Sequence, residues 1–507
     1  MKSMRLILSC AGVAMLGWFA GSERVFGAEP SERNSPPNIV LILADDLGYR
    51  ELGCFGQKKI QTPNLDRLAA SGMKLTQHYS GNAVCAPSRC VLMTGRHPGH
   101  AWIRNNSEVQ PEGQYPLPDS EVTLAEMLRE RGYVTGAFGK WGLGGPGSEG
   151  DPLNQGFDRF FGYNCQRHAH SYYPDYLWSD RKRVPLKNSP PVPGHARLPK
   201  NADPADPRSY EAFQGQEYAP DRIRDQALQF IRENRERPFF LYVPSTLPHV
   251  ALHVPQDRVR EYRKLGWQDP PFTAERGGYT PHFTPRAAYA AMITQLDSDV
   301  GAILQSLDEH ALTANTLIIF SADNGTTHLQ EEVDTAFFES VGELRGLKGS
   351  LYEGGVRVPT IVSFPGMIPA GTESDFVSGF EDWFPTLADI SSSAATENHP
   401  TDGLSLLQTL RGEKQMARDY LYREFPGYGG QQSVRQGDWK LIRQNMSRGL
   451  KPPELFDLKN DPGETLDLSE KHPDLVRKLT ELMTVARTPS GLFPLPPMDP
   501  AVKSLSN

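Results

Sequence analysis

A continuous apolar run, Asn38–Ala44 (NIVLILA), limits the fold of this chain more than any other sequence feature. A run of this length without polar alternation is typical of a strand buried on both faces, as in a parallel sheet. Similar runs follow at intervals long enough for helices, at Val134–Phe138, Phe239–Val243, Thr316–Phe320 and Thr360–Phe364. Helical patterns lie between them, over Thr62–Gly72, Glu121–Arg131, Asp221–Glu233 and Pro285–His310. This alternation predicts an α/β fold in which a mostly parallel sheet lies between helices.

Two further regions differ from this pattern. Residues 140–220 are rich in Gly, Pro, Asp, Tyr and His and show little periodicity. Long irregular segments inside a domain are often functional, so we expect a substrate-binding insertion there. After about residue 400, short strand patterns and a closing helical pattern predict a smaller α+β domain with an antiparallel sheet: Tyr420–Glu424, Trp439–Arg443 and Leu475–Val485. We expect a main domain over 38–412 and a C-terminal α+β subdomain over 413–507.

The first residues have the pattern of an export signal. Lys2 and Arg5 precede an apolar stretch, Leu6–Ala20, and small residues lie before Ala28. The stretch is too short to span a bilayer comfortably. We therefore predict a signal peptide over 1–27, a linker over 28–37, and an exported protein, periplasmic or secreted, without an integral membrane segment.

Charge excludes one class of partner. The chain carries 53 Lys and Arg against 61 Asp and Glu, a formal net charge of -8, and it contains no basic run of the kind that binds nucleic acid. A nucleic-acid partner is therefore not expected. An acidic protein that acts on an anion must place positive charge locally, in its site.

Polar oxygen ligands follow two of the predicted strands. Asp45 and Asp46 come directly after the first strand, and Asp323 and Asn324 follow Thr316–Phe320. Ligands in α/β sheets bind beyond the carboxyl ends of the strands. Either pair alone is also consistent with a turn or a helix cap. Together, three carboxylates and one amide oxygen predict a calcium or magnesium site and argue against zinc.

A cysteine motif carries the strongest indication of chemistry. Cys85 begins the segment CAPSR, and TGR follows at residues 94–96. Pro87 suits a first helical turn, which places Cys85 at a helix N-terminus that favours anions. Arg89, one turn later, can reach back as a planar donor. The alternative is a buried cysteine beside a helix start.

This motif, with the Asp pairs, resembles the signature of type I sulfatases. The resemblance extends from Asn38 to the segment ELFDL at 454–458. It implies an alkaline-phosphatase-like fold and a catalytic main domain. It also implies that a maturation enzyme oxidises Cys85 to formylglycine, whose hydrated aldehyde is the nucleophile. The ligands of a calcium ion, with magnesium as the alternative, would be Asp45, Asp46, Asp323, Asn324 and the modified Cys85.

Three further residues match positions of the same family. Lys140, in Gly-Lys-Trp at 139–141, would stabilise negative charge on the sulfate. His249, in Pro-His after Phe239–Val243, would contact the bridging ester oxygen. Lys348, in Arg-Gly-Leu-Lys-Gly at 345–349, matches the second lysine of the family's active site.

The chain departs from the family at Gly142, where a histidine usually helps to regenerate the aldehyde. Our hypothesis is that a histidine of the insertion replaces it, with His170 preferred over His168. The alternative is that both histidines bind glycan or face solvent.

Aromatic and polar residues near the motifs suit a sugar, through ring stacking and hydroxyl hydrogen bonds. The candidate substrate-binding residues are His168, Arg104, Trp102, Tyr172 and His253. We expect an extracellular sulfated carbohydrate, of galactose or N-acetylgalactosamine type, as the substrate. The competing interpretations are a phosphoester or phosphonate hydrolase of the same superfamily and a catalytically silent glycan-binding protein.

Overall fold

A ten-stranded mixed sheet organises the computed structural model, which describes residues 36–394 and 399–499. The strands follow the order β11-β2-β10-β9-β1-β8-β4-β5-β6-β7. The central five, from β9 to β5, all pair in parallel. Their bounds in chain order are β1 Asn38–Ala44, β2 Met73–Leu75, β3 His78–Tyr79, β4 Val134–Lys140, β5 Arg159–Tyr163, β6 Tyr176–Ser179, β7 Lys182–Pro185, β8 Phe239–Pro244, β9 Thr316–Ala322, β10 Thr360–Ser363, β11 Thr372–Ser374 and β12 Ser378–Gly379.

Helices flank this sheet in two groups. In one group, α1, α4 and α5 each contact α6; in the other, α2, α3 and α9 contact one another. Proline begins α1 and α6, where its missing N–H has no intrahelical acceptor to lose. Thr123 and Glu126 form a capping box at the start of α3. The bounds are α1 Pro63–Ala70, α2 Cys85–Thr94, α3 Leu124–Glu130, α4 Ala219–Asn234, α5 Gln256–Arg263, α6 Pro285–Glu309, α7 Thr335–Phe338, α8 Glu353–Val356, α9 Trp383–Ile390, α10 Leu407–Leu410 and α11 Pro473–Val485.

The C-terminal region forms a separate antiparallel sheet of four strands. These are β13 Leu421–Phe425, β14 Gln431–Gln436, β15 Trp439–Arg443 and β16 Glu454–Asp457. Leu479 and Met483 of α11 pack against this sheet in one buried cluster with Val434 and Leu455. A buried ion pair joins Arg423 of β13 to Glu381, just before α9.

The predicted fold class, a mostly parallel sheet between helices with an antiparallel C-terminal sheet, is confirmed. Every predicted strand of the main sheet is present, although β10 runs antiparallel to β9. The region 140–220, read from its composition as irregular, contains β5, β6 and β7, which extend the sheet. Its Gly and Tyr content hid the strand pattern, as in Arg159–Tyr163 (RFFGY).

The predicted signal peptide, 1–27, lies outside the described residues, as does nearly all of the predicted linker, 28–37. Within the described ranges, no helix is long and apolar enough to cross a membrane. The predicted boundary between 412 and 413 stays a prediction, because all described residues lie in one compact unit, Ser35–Asn507.

A buried histidine, His78 of β3, joins the short β3–β12 sheet to α9. Its Nδ1 lies 2.8 Å from Ser378 Oγ, and the Trp383 indole N–H donates to its Nε2 at 3.2 Å. An indole N–H can only donate, so His78 Nε2 carries a lone pair and the ring is neutral. Burial lowers the pKa of His78 to about 3, although the negative charge of Glu381 opposes the shift.

This burial makes stability sensitive to acid. Between about pH 3 and 6.5 the unfolded chain binds more protons at His78 than the folded chain, so this contribution to stability falls as the pH falls. We expect the free energy of unfolding of a His78→Gln variant to decline less between pH 7 and pH 4 than that of the wild type. Urea unfolding at several pH values measures this. His472→Gln, at an exposed ring, is the control, and parallel profiles for His78→Gln and the wild type would contradict the prediction.

Candidate active site

Four parallel strands deliver polar side chains to one edge of the main sheet. Asp45 and Asp46 follow β1, and Asp323 and Asn324 follow β9, its neighbour on one side. On the other side, β4 ends in Lys140, and His249 follows β8. Parallel strands place their carboxyl ends at the same edge, so residues far apart in the sequence meet there.

Helix α2 brings the cysteine to this edge. Cys85 is the first residue of α2, and its side chain is buried. Its Sγ lies 3.5 Å from Asp45 Oδ1 and 3.6 Å from Lys140 Nζ. The preceding residue, Val84, makes no side-chain cap, and Asn106 Oδ1 accepts from the Ala86 N–H at 3.0 Å. The N-terminal end of α2 carries a partial positive charge at this edge.

Three cations neutralise the carboxylates. Arg89 binds Asp323 Oδ2 through Nε at 3.0 Å and Nη2 at 2.8 Å, and its Nη1 donates to the Lys140 carbonyl. Lys140 Nζ lies 2.6 Å from Asp45 Oδ2. Lys348 Nζ lies 2.8 Å from the Asp46 carboxylate. These cations are suited to an anionic ligand because each also has capacity for further acceptors.

His249 faces the same cluster. Its Nδ1 bonds to the Val250 carbonyl, which can only accept, so Nδ1 carries the proton and Nε2 holds a lone pair. Nε2 lies 3.6 Å from Asp46 Oδ2. The Tyr172 hydroxyl reaches two carbonyls of this loop, those of Thr246 and, at 2.6 Å, His249. Tyr172 therefore supports the His249 loop through backbone contacts.

The pKa values of the three buried carboxyl groups are shifted in different directions. Burial raises the pKa of Asp45, but the positive charges of Lys140 and Arg89 outweigh it and hold that pKa well below its usual range. Burial raises the pKa of Asp323 to about 7, reinforced by the charge of Asp45. Burial also raises the pKa of Asp46, against the charge of Lys348. Three clustered carboxyls thus favour further positive charge.

Burial and the surrounding charges also shift the pKa values of Cys85, Lys348 and His249. Burial, reinforced by Asp45, raises the pKa of the Cys85 thiol to about 12. An unmodified thiol is therefore protonated and a poor nucleophile at neutral pH. Burial disfavours the charged form of Lys348, but Asp46 outweighs it and keeps the pKa high. Burial and the charge of Lys348 lower the pKa of His249 well below its usual value.

Three of the residues predicted to hold a cation, Asp45, Asp46 and Cys85, lie in a cluster that could hold a metal ion, together with His249, which was not predicted as a ligand. Ligand atoms of Asp45, Asp46, Cys85 and His249 all lie within 4.8 Å of one another. The backbone N–H of Asp46 bonds to Asp323 Oδ1, and Asn324 Nδ2 donates to Asp46 Oδ1 at 2.8 Å. Asn324 Oδ1 is buried without a hydrogen-bond partner among the described residues. A buried amide oxygen among carboxylates is a suitable ligand for a hard cation.

His170 lies beside His249, with parallel rings whose centres are 5.1 Å apart. His195 Nδ1 donates to the Gly278 carbonyl, so a neutral His195 accepts at Nε2 from His170 Nδ1, 2.9 Å away. His170 Nε2 is left with a lone pair, 3.5 Å from the Tyr279 hydroxyl. Burial and the charge of Lys140 lower the pKa of His170 well below its usual value, so the ring is neutral at neutral pH.

The backbone explains the glycine at position 142. Gly142 has φ +81°, which disfavours a side chain. A Cβ atom there would also lie 2.8 Å from Nε2 of the buried Gln166. The local conformation and its neighbour therefore both select against a histidine at this position.

The other predicted substrate-binding residues lie in different settings. His168 packs against Tyr163 and Tyr176, with its Nδ1 3.4 Å from Glu112, and is not brought beside His249. The exposed fraction of Trp102 is 39%. The remaining two are buried: Arg104 binds Glu424 at 2.8 Å and Thr488, and His253 accepts from the Tyr172 N–H.

Several aromatic residues at the edge of the site were not predicted from the sequence. His195 and Tyr279 contact His170, and the Tyr428 ring lies against Gly349, next to Lys348. No local pattern marks them, because each belongs to an irregular loop distant in sequence from the residues it contacts. The Gly-rich turn around Tyr428 was the only available signal.

A buried cysteine at a helix N-terminus, next to carboxylates and three cations, defines the site of a hydrolase for anionic esters. Comparisons with known proteins specify the class. The Sulfatase family model matches residues 37–393, and the N-sulphoglucosamine sulphohydrolase C-terminal model matches 347–488. The chain therefore belongs to the sulfatase family and is a sulfuric ester hydrolase.

Relatives cover nearly the whole chain. The chain is 30% identical to N-acetylgalactosamine-6-O-sulfatase of Bacteroides thetaiotaomicron, across 96% of this chain and 99% of the relative. It is 34% identical to arylsulfatase A of Homo sapiens, across 88% and 87%. The crystal structure of Ps i-CgsB with k-i-k-neocarrahexaose is similar, with a TM-score of 0.73 and 26% identity across 90% of this chain and 94% of that one.

Proposed function

We propose that this enzyme removes sulfate from a sulfated glycan, with Cys85 converted by a maturation enzyme to formylglycine. The observation that carries the proposal is the position of Cys85, within 3.6 Å of both Lys140 and Asp45 at the start of α2. The high pKa of the unmodified thiol also favours a modified residue. The hydrate of formylglycine supplies one hydroxyl for attack on sulfur and a second whose deprotonation releases sulfate.

Calcium, with magnesium as the alternative, fits the carboxylate cluster. Asp45, Asp46, Asp323 and Asn324 would hold it, together with the modified Cys85. The unpartnered Asn324 oxygen and the raised pKa values of Asp46 and Asp323 support this assignment. A bound cation supplies Lewis-acid stabilisation of a sulfuryl oxygen.

Each remaining residue has a role consistent with its contacts. Arg89, Lys140 and Lys348 stabilise the charge of the sulfuryl oxygens as preorganised donors. His249 holds a lone pair at Nε2, which would accept the proton released by the attacking hydroxyl and pass it to the bridging oxygen of the leaving alcohol. Lys348 is the alternative proton donor, since its amine stays charged beside Asp46.

His170 is our candidate for the base that is missing at Gly142. Its ring lies against the ring of His249, and the charge of Lys140 lowers its pKa. Both observations support a position at the site. The hydrogen bond to His195 leaves the lone pair of His170 at Nε2, where a proton can be accepted. His168 lies among Glu112, Tyr163 and Tyr176 instead.

The substrate is a carbohydrate of galactose or N-acetylgalactosamine type in this proposal, and the enzyme is exported to meet it. The bacterial relative named for N-acetylgalactosamine 6-sulfate, matched over almost its full length, supports that choice. Relative turnover of matched sulfate and phosphate esters separates this activity from phosphoester hydrolysis. Glycan binding without turnover by fully modified protein would indicate a silent binding protein.

The state of Cys85 tests the nucleophile directly. Peptide mass analysis of protein from its native host should show the loss expected for conversion of the thiol to the aldehyde. Cys85→Ser should lower kcat by roughly 10³-fold or more, because serine lacks the second hydroxyl needed to release sulfate. Cys90→Ser, in the same helix, is the matched control. An unmodified thiol in active, exported protein would refute the mechanism.

Removal of one carboxylate tests the metal site. We expect calcium to raise the Tm of chelator-treated wild type, since a ligand that binds only the folded state stabilises it. Asp323→Asn should show a smaller shift and bind less calcium by elemental analysis. Asp225→Asn, on an exposed helix face, should behave as the wild type. An unchanged calcium content in Asp323→Asn would remove Asp323 from the ligand set, and a larger shift with magnesium would favour that ion.

Two histidine variants test the base. His170→Ala should lower kcat about 10²-fold, the usual contribution of a general base. His168→Ala, two residues away, should retain turnover. Steady-state kinetics on one sulfated sugar measures both. Wild-type turnover by both variants would show that neither histidine replaces the missing one.

A further inference from the structure

Tyr428 lies at an unusual position in the turn between β13 and β14. The Gly430 N–H donates to the Gly427 carbonyl at 3.0 Å, which closes a four-residue turn. Its two central residues both have positive φ, +50° at Tyr428 and +92° at Gly429. Such a turn favours Asn, Asp or Gly at its first central position. An aromatic residue there is strained, and strain of this kind is concentrated at functional sites.

The turn points Tyr428 toward the active site. A Cβ atom added to Gly349 would lie 2.2 Å from Tyr428 Cε2, so the ring is in contact with the backbone next to Lys348. The Gly349 N–H in turn donates to the Ala83 carbonyl at 2.9 Å, two residues before Cys85. Burial raises the pKa of Tyr428, the charge of Lys348 lowers it and the charge of Asp46 raises it.

The ring is nevertheless open to solvent. The exposed fraction of Tyr428 is 60%, and within residues 36–394 and 399–499 no hydrogen bond involves its hydroxyl. Phe425 supports one edge of the ring, with centres 5.4 Å apart at 82°. His328, an exposed residue of the loop that also carries Asp323 and Asn324, lies 5.7 Å away.

We infer that Tyr428 is a specificity-determining residue that stacks against the pyranose ring carrying the sulfate, with His328 beside it as a hydrogen-bonding partner for a sugar hydroxyl. This inference rests on the proposed function. An exposed aromatic face beside Lys348 suits the apolar face of a sugar whose sulfate lies among the cations. The strained turn is explained if it holds the ring there. The C-terminal sheet then contributes to substrate recognition.

Substitution at Tyr428 can separate the effect of the aromatic ring from the effect of the turn conformation. Tyr428→Asn removes the ring but supplies a residue that the turn prefers, so the fold is retained and Tm is unchanged or higher. Its kcat/KM for N-acetylgalactosamine 6-sulfate should fall about tenfold, mainly through KM, whereas inhibition by inorganic sulfate should be unchanged. Tyr428→Phe keeps the ring and should stay within about twofold of the wild type.

A matched control and a binding measurement complete the test. Glu339→Asn changes another exposed residue with positive φ, +52°, and should alter neither kcat nor KM. Calorimetric binding of the same sugar to Cys85→Ala protein, with and without Tyr428→Asn, tests stacking even if the wild type does not turn the sugar over. If the wild type does not turn this sugar over, that result would count against the proposed function and not against the stacking of Tyr428. Equal affinity, or equal kcat/KM, with and without the ring would overturn the inference.

Discussion

Burial of three carboxyl groups at one edge of the sheet is the constraint on which the active site depends. Asp45, Asp46 and Asp323 are each at most 1% exposed, and unpaired buried charges are costly. Arg89, Lys140 and Lys348 provide the compensation, and loss of one partner from such a pair costs about 3–5 kcal/mol. In the proposed function, the same three cations receive the sulfate. Stability of the fold and recognition of the substrate therefore draw on one set of charges.

This dependence explains why the site lies on rigid elements while its rim lies on loops. Asp45, Asp46 and Asp323 follow buried strands, Lys140 ends one and Arg89 lies in α2, where packing fixes their positions; Lys348 alone among the six lies in a loop. Asp46 has φ +63°, an uncommon conformation for a residue other than glycine, held by the hydrogen bond from its N–H to Asp323. His170, Tyr279 and Tyr428 come from irregular segments, which can vary without disturbing the charge cluster. In the proposed function, chemistry and sugar recognition are thus carried by different parts of the chain.

The limits of the sequence prediction have physical causes. Strand β1 was predicted with its observed bounds, since seven consecutive buried residues leave no ambiguity. Strand β4 extends two residues beyond the predicted Phe138, because Gly139 and Lys140 pair with Gly162 and Tyr163 of β5. That pairing was invisible because β5 itself was hidden among glycines and tyrosines. From the sequence, His170 was preferred to His168, and their different ring contacts in the structure distinguish the two.

The sequence by itself determined the alternation of strands and helices, the start of α2 at Cys85 and the carboxyl and amide side chains that follow β1 and β9. These features depend on local periodicity, on proline and on short motifs, all of which can be recognised from a few neighbouring residues. Tertiary structure alone decided which cation pairs with which carboxylate, which nitrogen of His170 holds a lone pair, and that Tyr428 borders the site. Lys348 and Asp46 are 302 positions apart in the chain. Contacts across such distances depend on how the whole sheet is assembled, and no local pattern encodes them.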